Sequence, residues 1–323
     1  MNNEFINGIF EGSIMIIDTN FYPGWVRKAI TFTIDDGNIP MDKRFIDIVK
    51  PRGIKGTFNL CAPNLKEYTP EFYRELYDGF GISNHCKLHP FALTPDKMRE
   101  VSDEPFDSKS ADVTKNYRTD RQGVYRYYAP AGWRYVAETD SYCRLISECH
   151  NELEAVFGEG SVSTFVWPYG EQADKRILEY IESVCGYTAV RKTGALGSST
   201  AFAVPTDMMH WSYNATHKDL LEVAKEYENF ADDGELKFFC FGLHSIDYER
   251  ANCWNVLEEF AEKYGNREHE FWYASVEDIF GYRDAVNELK ITENTVENPT
   301  DIDVFAEING EKTVIPGKSI INV

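Results

Sequence analysis

The 323-residue chain has no apolar run near the ~20 residues a membrane-spanning helix needs. Its start, Met1-Asn2-Asn3-Glu4-Phe5, has no basic stretch leading into an apolar one, so no secretory leader is visible. Cysteine is sparse and unpatterned. The seven cysteines (61, 86, 143, 149, 185, 240 and 253) are odd in number and contain no C-x-x-C. That argues against a disulfide framework or a cysteine zinc knot, and for free thiols in a reducing, cytoplasmic setting. Positive charge is also short: Lys+Arg is 33 against 53 Asp+Glu, a net charge of −20. Nucleic acid and anionic membrane surfaces call for basic patches, so neither is an expected partner. Repeats and low-complexity tracts are absent too. What remains, 43% apolar and 27% charged, is a globular composition with ample core, enough for one large domain or two.

Short apolar segments alternate with amphipathic ones. Strands are expected at 29–33, 57–60, 164–167, 188–190, 238–242 and 271–274. Thr69-Pro70-Glu71 and Thr94-Pro95-Asp96 each put a capping residue before a proline at the first helical position. Tyr142, Leu145, Ile146, Cys149, Leu153 and Val156 recur at helical spacing before Gly158; Ile177, Ile181 and Val184 do so before Gly186. Val256, Leu257, Phe260 and Tyr264 repeat the pattern before Gly265. Alternating β and α units imply a parallel sheet or barrel. Two stretches break the rhythm. Residues 101–139 are rich in charge and aromatics without a helical period, and read as a long insertion. After Leu289, apolar positions alternate around Asn309-Gly310, the signature of a hairpin. The expected organisation is therefore a body at 1–289 with an insertion at 101–139, and a small β-hairpin extension at 290–323.

Four short stretches carry chemistry. Thr31-Phe32-Thr33-Ile34-Asp35-Asp36-Gly37 places two carboxylates at the end of an apolar strand, where parallel α/β folds put reacting groups. Asp-Asp-Gly is also ordinary turn chemistry. In Asn84-His85-Cys86-Lys87-Leu88-His89, two histidines at i and i+4 can share one face of a helical turn and point at one ion. With Asp36 they make two imidazoles and a carboxylate, a set that leaves coordination positions open. The same set serves non-haem Fe(II) oxygenases, so it does not name a reaction. Phe165-Val166-Trp167-Pro168-Tyr169-Gly170 is a strand exit whose backbone can offer an N–H. Phe241-Gly242-Leu243-His244-Ser245-Ile246-Asp247 delivers one histidine to a strand end, with an acid nearby that either orients it or simply faces solvent.

In this order the pieces resemble the polysaccharide deacetylase family, the NodB-homology or carbohydrate esterase family 4 domain. Its pattern runs T-F-D-D-G, H-[ST]-x-x-H, R-x-P-[YF], a tryptophan/aspartate motif, then L-x-[LIV]-H. Here Ile34-Asp35-Asp36-Gly37, His85 with His89, and Leu243-His244 match it, and the stretch 42–60 is similar as well. The likeness spans about 22–285. It implies a distorted seven-stranded (β/α) barrel with a small C-terminal β appendage. It further implies that Asp36, His85 and His89 bind one divalent ion, zinc by family habit. Asp35 is then the general base, His244 the general acid, and the Tyr169 backbone N–H a donor to the oxyanion. Trp167, Pro168, Tyr169, Arg191, Trp211 and Tyr128 are the expected substrate contacts.

The departures are specific. Cys86 stands where the family has Ser or Thr, and Val166 where many members carry the arginine that holds the base. Arg191 or another cation is needed in its place. Asp207-Met208-Met209-His210-Trp211 lies in the region of the fourth motif without its order. His210 and His217 are further candidates for the pocket. The leading reading is removal of an N-acetyl, or an O-acetyl, group from a sugar or polysaccharide. An amidase of the same fold acting on a small non-glycan amide, a non-catalytic glycan-binding relative and an Fe(II) oxygenase are the alternatives. Tyr125, Tyr127, Tyr128 and Trp133 of the insertion are expected at a substrate cleft, or else on a surface decoration.

Overall fold

A computed structural model describes residues 15–92, 101–102, 116–118, 122–129, 132–170, 175–192 and 202–323. Seven parallel strands form its centre: β1 (Lys28–Asp36), β2 (Thr57–Leu60), β3 (Gly81–Asn84), β4 (Val162–Val166), β5 (Ala189–Arg191), β6 (Lys237–Leu243) and β7 (Phe271–Tyr273). Their order is β5-β4-β3-β2-β1-β6. The first residues of β1 pair with β7 and its last residues with β2, so these two share one edge of β1 while β6 takes the other. The free edges, β5 and β6, are bridged by the segment 211–215. Trp211 bridges Arg191 and Ala215 bridges Phe241, and Asn214 N donates to Cys240 O at 2.7 Å. This closes the expected distorted (β/α) barrel and gives the stretch around Trp211 a structural task.

The strands are buried on both faces, and most of their residues are apolar for that reason. Outside β1, Phe32 meets Phe45 and Phe58 with ring centroids 4.9 and 5.3 Å apart. Phe32 lies so close to Gly56 that a Cβ there would sit 2.4 Å from its ring. The helix Pro70–Leu76 starts on Thr69, whose side chain accepts from Phe72 N. The helices Thr139–Phe157, Lys175–Ser183 and Trp254–Tyr264 occupy the expected periodic segments. Thr94-Pro95-Asp96 lies outside the described residues. Strand β3, Gly-Ile-Ser-Asn, was not expected: it is short, half polar and buried centrally between β2 and β4.

Two expectations change. The insertion has strands where no helical period was seen: Val101–Ser102, Asn116–Arg118, Val124–Ala129 and Gly132–Ala137 join Pro90–Ala92, which precedes it, in one five-stranded sheet. The C-terminal extension is more than a hairpin. Val304–Ile308 and Glu311–Ile315 do pair, turning on Asn309 and Gly310 at φ 53° and 85°, but Ile17–Asp18 joins them as a third strand. Lys290–Ile291, Thr295–Asn298 and Ser319–Asn322 form a second sheet. Among the described residues no helix is long and apolar enough to cross a membrane. Among the described residues the cysteines form no disulfide, and Cys61, Cys86, Cys149 and Cys240 are buried.

Candidate active site and metal centre

The site collects at the C-terminal ends of the barrel strands. At the end of β1, strand alternation sends two successive side chains opposite ways. Asp35 points inward and is 2% exposed, while Asp36, at φ 78°, turns its carboxylate toward the cleft. Asn64 Nδ2 donates to the Asp36 carbonyl at 2.6 Å and steadies this turn. His85 and His89 follow β3, but not on a helix. Cys86, Leu88 and His89 have φ of 60°, 68° and 47°, so a left-handed coil of backbone, rather than the expected helical turn, brings the imidazoles together. Their ring centroids are 4.7 Å apart.

The donor atoms suit a divalent ion. Nε2 of His85 and Nε2 of His89 each lie 3.5 Å from Asp36 Oδ1, and the three residues offer ligand atoms all within 4.8 Å of one another. His85 Nδ1 is 2.9 Å from the Val166 carbonyl, an acceptor, so the proton sits on Nδ1. Its Nε2 is buried with no hydrogen-bond partner, a lone pair aimed at the cluster. Burial and the neighbouring His85 push His89 down to about 4, so it too is neutral and ready to ligate. Asp36 stays ionised: burial opposes this, but the surrounding imidazoles, the His244 cation among them, hold its carboxyl well below the usual range.

Asp35 is held from inside the barrel. Arg191, 0% exposed at the end of β5, forms an ion pair with Asp35 Oδ1, and Asn59 Nδ2 donates to the same oxygen at 2.7 Å. Burial alone would raise the Asp35 carboxyl. Arg191, with help from His85 and His244, overrides this and lowers it. Arg191 is therefore a partner of Asp35 and not the substrate contact expected from the sequence. Asn59 was missed altogether. Its only signal was a polar residue within the buried strand Thr57-Phe58-Asn59-Leu60.

His244 caps the helix Ser245–Arg250, with Nε2 3.6 Å from Asp36 Oδ2 and Nδ1 2.9 Å from Asp247 Oδ2. Burial would favour the neutral ring, yet Asp247, Asp35 and Asp36 raise His244 to about 9. The histidines of one cleft are thus driven apart, with His89 neutral and His244 a cation at neutral pH.

A cleft of about 1270 Å³ opens over these groups. Trp167 and Tyr169 line it. Tyr169, 37% exposed at φ 59°, stacks on Phe91 at 3.6 Å and meets the His89 ring edge-on at 4.3 Å. Pro168 is buried and does not line the cleft, and Trp211 is 4% exposed against Phe238 and Phe280. His210 bonds Asp207 and His217 packs on Tyr248, both away from the cleft lining. From the insertion, Arg134 and Tyr135 line the cleft, whereas Tyr125 is buried with its hydroxyl on Glu138 at 2.9 Å. The side chains of Tyr127, Tyr128 and Trp133 lie outside the described residues.

The family model for polysaccharide deacetylase matches residues 26–190, just over half of the chain. The chain belongs to the polysaccharide deacetylase family. Members are metal-dependent and act on the acetyl groups of sugars, and the Asp36/His85/His89 cluster lies within the matched span. Among solved structures, the chain is similar to the Xyl-CE4 domain of a multidomain xylanase from the hindgut metagenome of Trinervitermes trinervoides. That match has 14% identity and a TM-score of 0.46, covering 80% of this chain and 92% of that one. A CE4 esterase from Streptococcus mutans matches at 14% identity and TM-score 0.44, over 77% and 86%. The peptidoglycan deacetylase PdaC from Bacillus subtilis matches at 14% and 0.43, over 81% and 95%. No curated protein matches the chain significantly.

Proposed function

We propose that this deacetylase removes an N-acetyl or O-acetyl group from a sugar unit, with Asp36, His85 and His89 holding a zinc ion. The observation that carries the reading is the convergence of three ligating atoms within 4.8 Å, flanked by Asp35 on one side and His244 on the other. A divalent ion there supplies Lewis acidity toward water and toward the acetyl carbonyl. Asp35 is the general base. Arg191 and Asn59 both engage its Oδ1, which leaves Oδ2 as the oxygen to take the proton from the attacking water. His244, held as a cation by Asp247, delivers a proton to the departing nitrogen or oxygen through Nε2. The backbone N–H of Tyr169 is assigned to the oxygen that gains charge. The exposed Tyr169 ring suits the apolar C–H face of a sugar, while Trp167, 2% exposed, backs the cleft from within.

Acetate release tests this, using N-acetylated sugar oligomers, O-acetylated oligosaccharides and small linear and cyclic amides. The reading expects sugar substrates to be processed and Asp35→Asn and His244→Gln to be nearly inactive. Turnover confined to the small amides would assign the chain to the amidase alternative. Glycan binding without acetate release would make it a non-catalytic relative.

A further inference from the structure

The loop that carries the two histidines has an uncommon backbone. Cys86, Leu88 and His89 all take left-handed φ, a conformation that L side chains keep only where the surroundings impose it. His85 is fixed by its own contact with the Val166 carbonyl, whereas His89 is placed by the backbone that leads to it. At the position where the family has Ser or Thr, Cys86 is fully buried, and a thiol is a weak donor. The loop is fastened to the helix Thr139–Phe157. Asn84 Nδ2 donates to the Ile146 carbonyl at 2.9 Å, and Lys87 N to the Leu145 carbonyl at 3.4 Å. Lys87, midway between the two ligands, then sends its ammonium to Glu148 Oε2 at 2.9 Å and to Glu152 Oε1 at 2.5 Å. Two acids one helical turn apart repel each other, so each needs a cation, and Arg144 Nη1 also engages Glu148 Oε1, at 2.7 Å. The Lys87 side chain is 21% exposed and its two acids 35% and 36%, so water screens these pairs less than it screens fully exposed ones.

We propose that Lys87 is a positioning residue for the metal centre: held by Glu148 and Glu152, it clamps the ligand loop to the helix Thr139–Phe157 and keeps His89 beside Asp36 and His85. The inference rests on the metal reading of this cluster and adds the side chains that form the site before an ion arrives. A loop free to relax toward ordinary φ would carry His89 away from the cluster. The ion would then have to restore the left-handed backbone as it binds, which lowers its affinity. The weak thiol donor at position 86 leaves more of this task to Lys87.

Zinc affinity tests this without turnover. The apparent Kd is measured by competition with a chromophoric chelator, with a urea melt of each zinc-free protein beside it. The proteins are the wild type, Lys87→Met, Lys87→Arg, the double variant Glu148→Gln with Glu152→Gln, and that double variant with Lys87→Met added. Lys87→Met should weaken zinc binding about 10- to 100-fold, the usual effect of removing a partner behind a metal ligand. Lys87→Arg should recover most of the loss. The double glutamate variant should reproduce it, and adding Lys87→Met should weaken zinc by no more than about 2-fold further, because the three side chains act as one unit. The zinc-free melts should stay cooperative, which separates a misplaced ligand from an unfolded chain. If Lys87→Met does not fold, the double glutamate variant carries the test, and undiminished zinc affinity there overturns the inference. Wild-type affinity in Lys87→Met, or a full second loss when it joins the glutamate variant, overturns the inference alone. A wild type that binds no zinc overturns the metal reading and the inference with it. Zinc binding that weakens as expected in a chain releasing no acetate from any substrate keeps the clamp and overturns the deacetylase reading.

Discussion

Arg191 on β5 lies in register with Val166 on β4, and its guanidinium, from the strand next door, reaches Asp35. The family pattern places its base-holding arginine at the position of Val166. In parallel strands, register partners project to the same face, so moving the arginine sideways by one strand preserves the charge beside Asp35.

Arg191→Met should therefore cost far more than one hydrogen bond. It leaves Asp35 buried without its cation, a change worth ~3–5 kcal/mol in folding stability for a buried pair. Turnover should fall ~10²–10⁴-fold with metal content retained. Without the cation the Asp35 carboxyl rises, so the acid limb of kcat/KM should move to higher pH. The double variant Val166→Arg with Arg191→Val should recover part of the rate. pH–rate profiles and denaturant melts of the three proteins check this, and wild-type behaviour of Arg191→Met would remove Arg191 from the account.

Asp247 acts on the other side. It accepts from His244 Nδ1 and favours the charged ring. Removing that anion lowers the histidine, so Asp247→Asn should shift the alkaline limb to lower pH and reduce kcat more than it changes KM. Asp247→Glu should restore part of the shift. Equal profiles for all three proteins would return Asp247 to the surface acids.

A third carboxyl lies behind the site. Asp42 accepts from Tyr77 Oη at 2.8 Å and from Ser245 Oγ at 2.5 Å, next to His244 in the chain. Burial pushes it up to about 7. Its unfolded value is near 3.9, so between about pH 4 and 7 the folded state binds the extra proton. Stability from this group is thus fully present at low pH and is lost as pH rises through about 7. Asp42→Asn removes that slope. Relative to wild type it should gain stability between pH 5 and 8, by a few kcal/mol at most, in urea melts taken across the range. A constant difference between the two proteins would contradict the assignment.

Much of the barrel was legible because parallel strands buried on both faces are short apolar runs, as in Lys28–Asp36 and Lys237–Leu243. Strand Gly81–Asn84 was not, since its polar Ser83 and Asn84 sit where pairing partners rather than apolar content decide the conformation. Asp36, His85 and His89 could be chosen by residue type and order, but their convergence depends on positive φ at four non-glycine residues, which spacing does not reveal. Arg191 was considered in both roles, and only the register with Val166 decides between them. Asn59, Lys66 and Arg134 escaped notice because each is an ordinary polar residue until the fold brings it to the cleft or to Asp35.

The central claim is that one divalent ion held by Asp36, His85 and His89 is needed for acetate release. The most direct test measures metal content and acetate release together, on the purified protein, after chelation, after refilling with zinc, and on His85→Ala and His89→Ala. The account predicts about one ion per chain, parallel loss of ion and activity on chelation and in both variants, and recovery of the chelated wild type with one equivalent of zinc. Full activity after chelation, or undiminished zinc in both histidine variants, would contradict it.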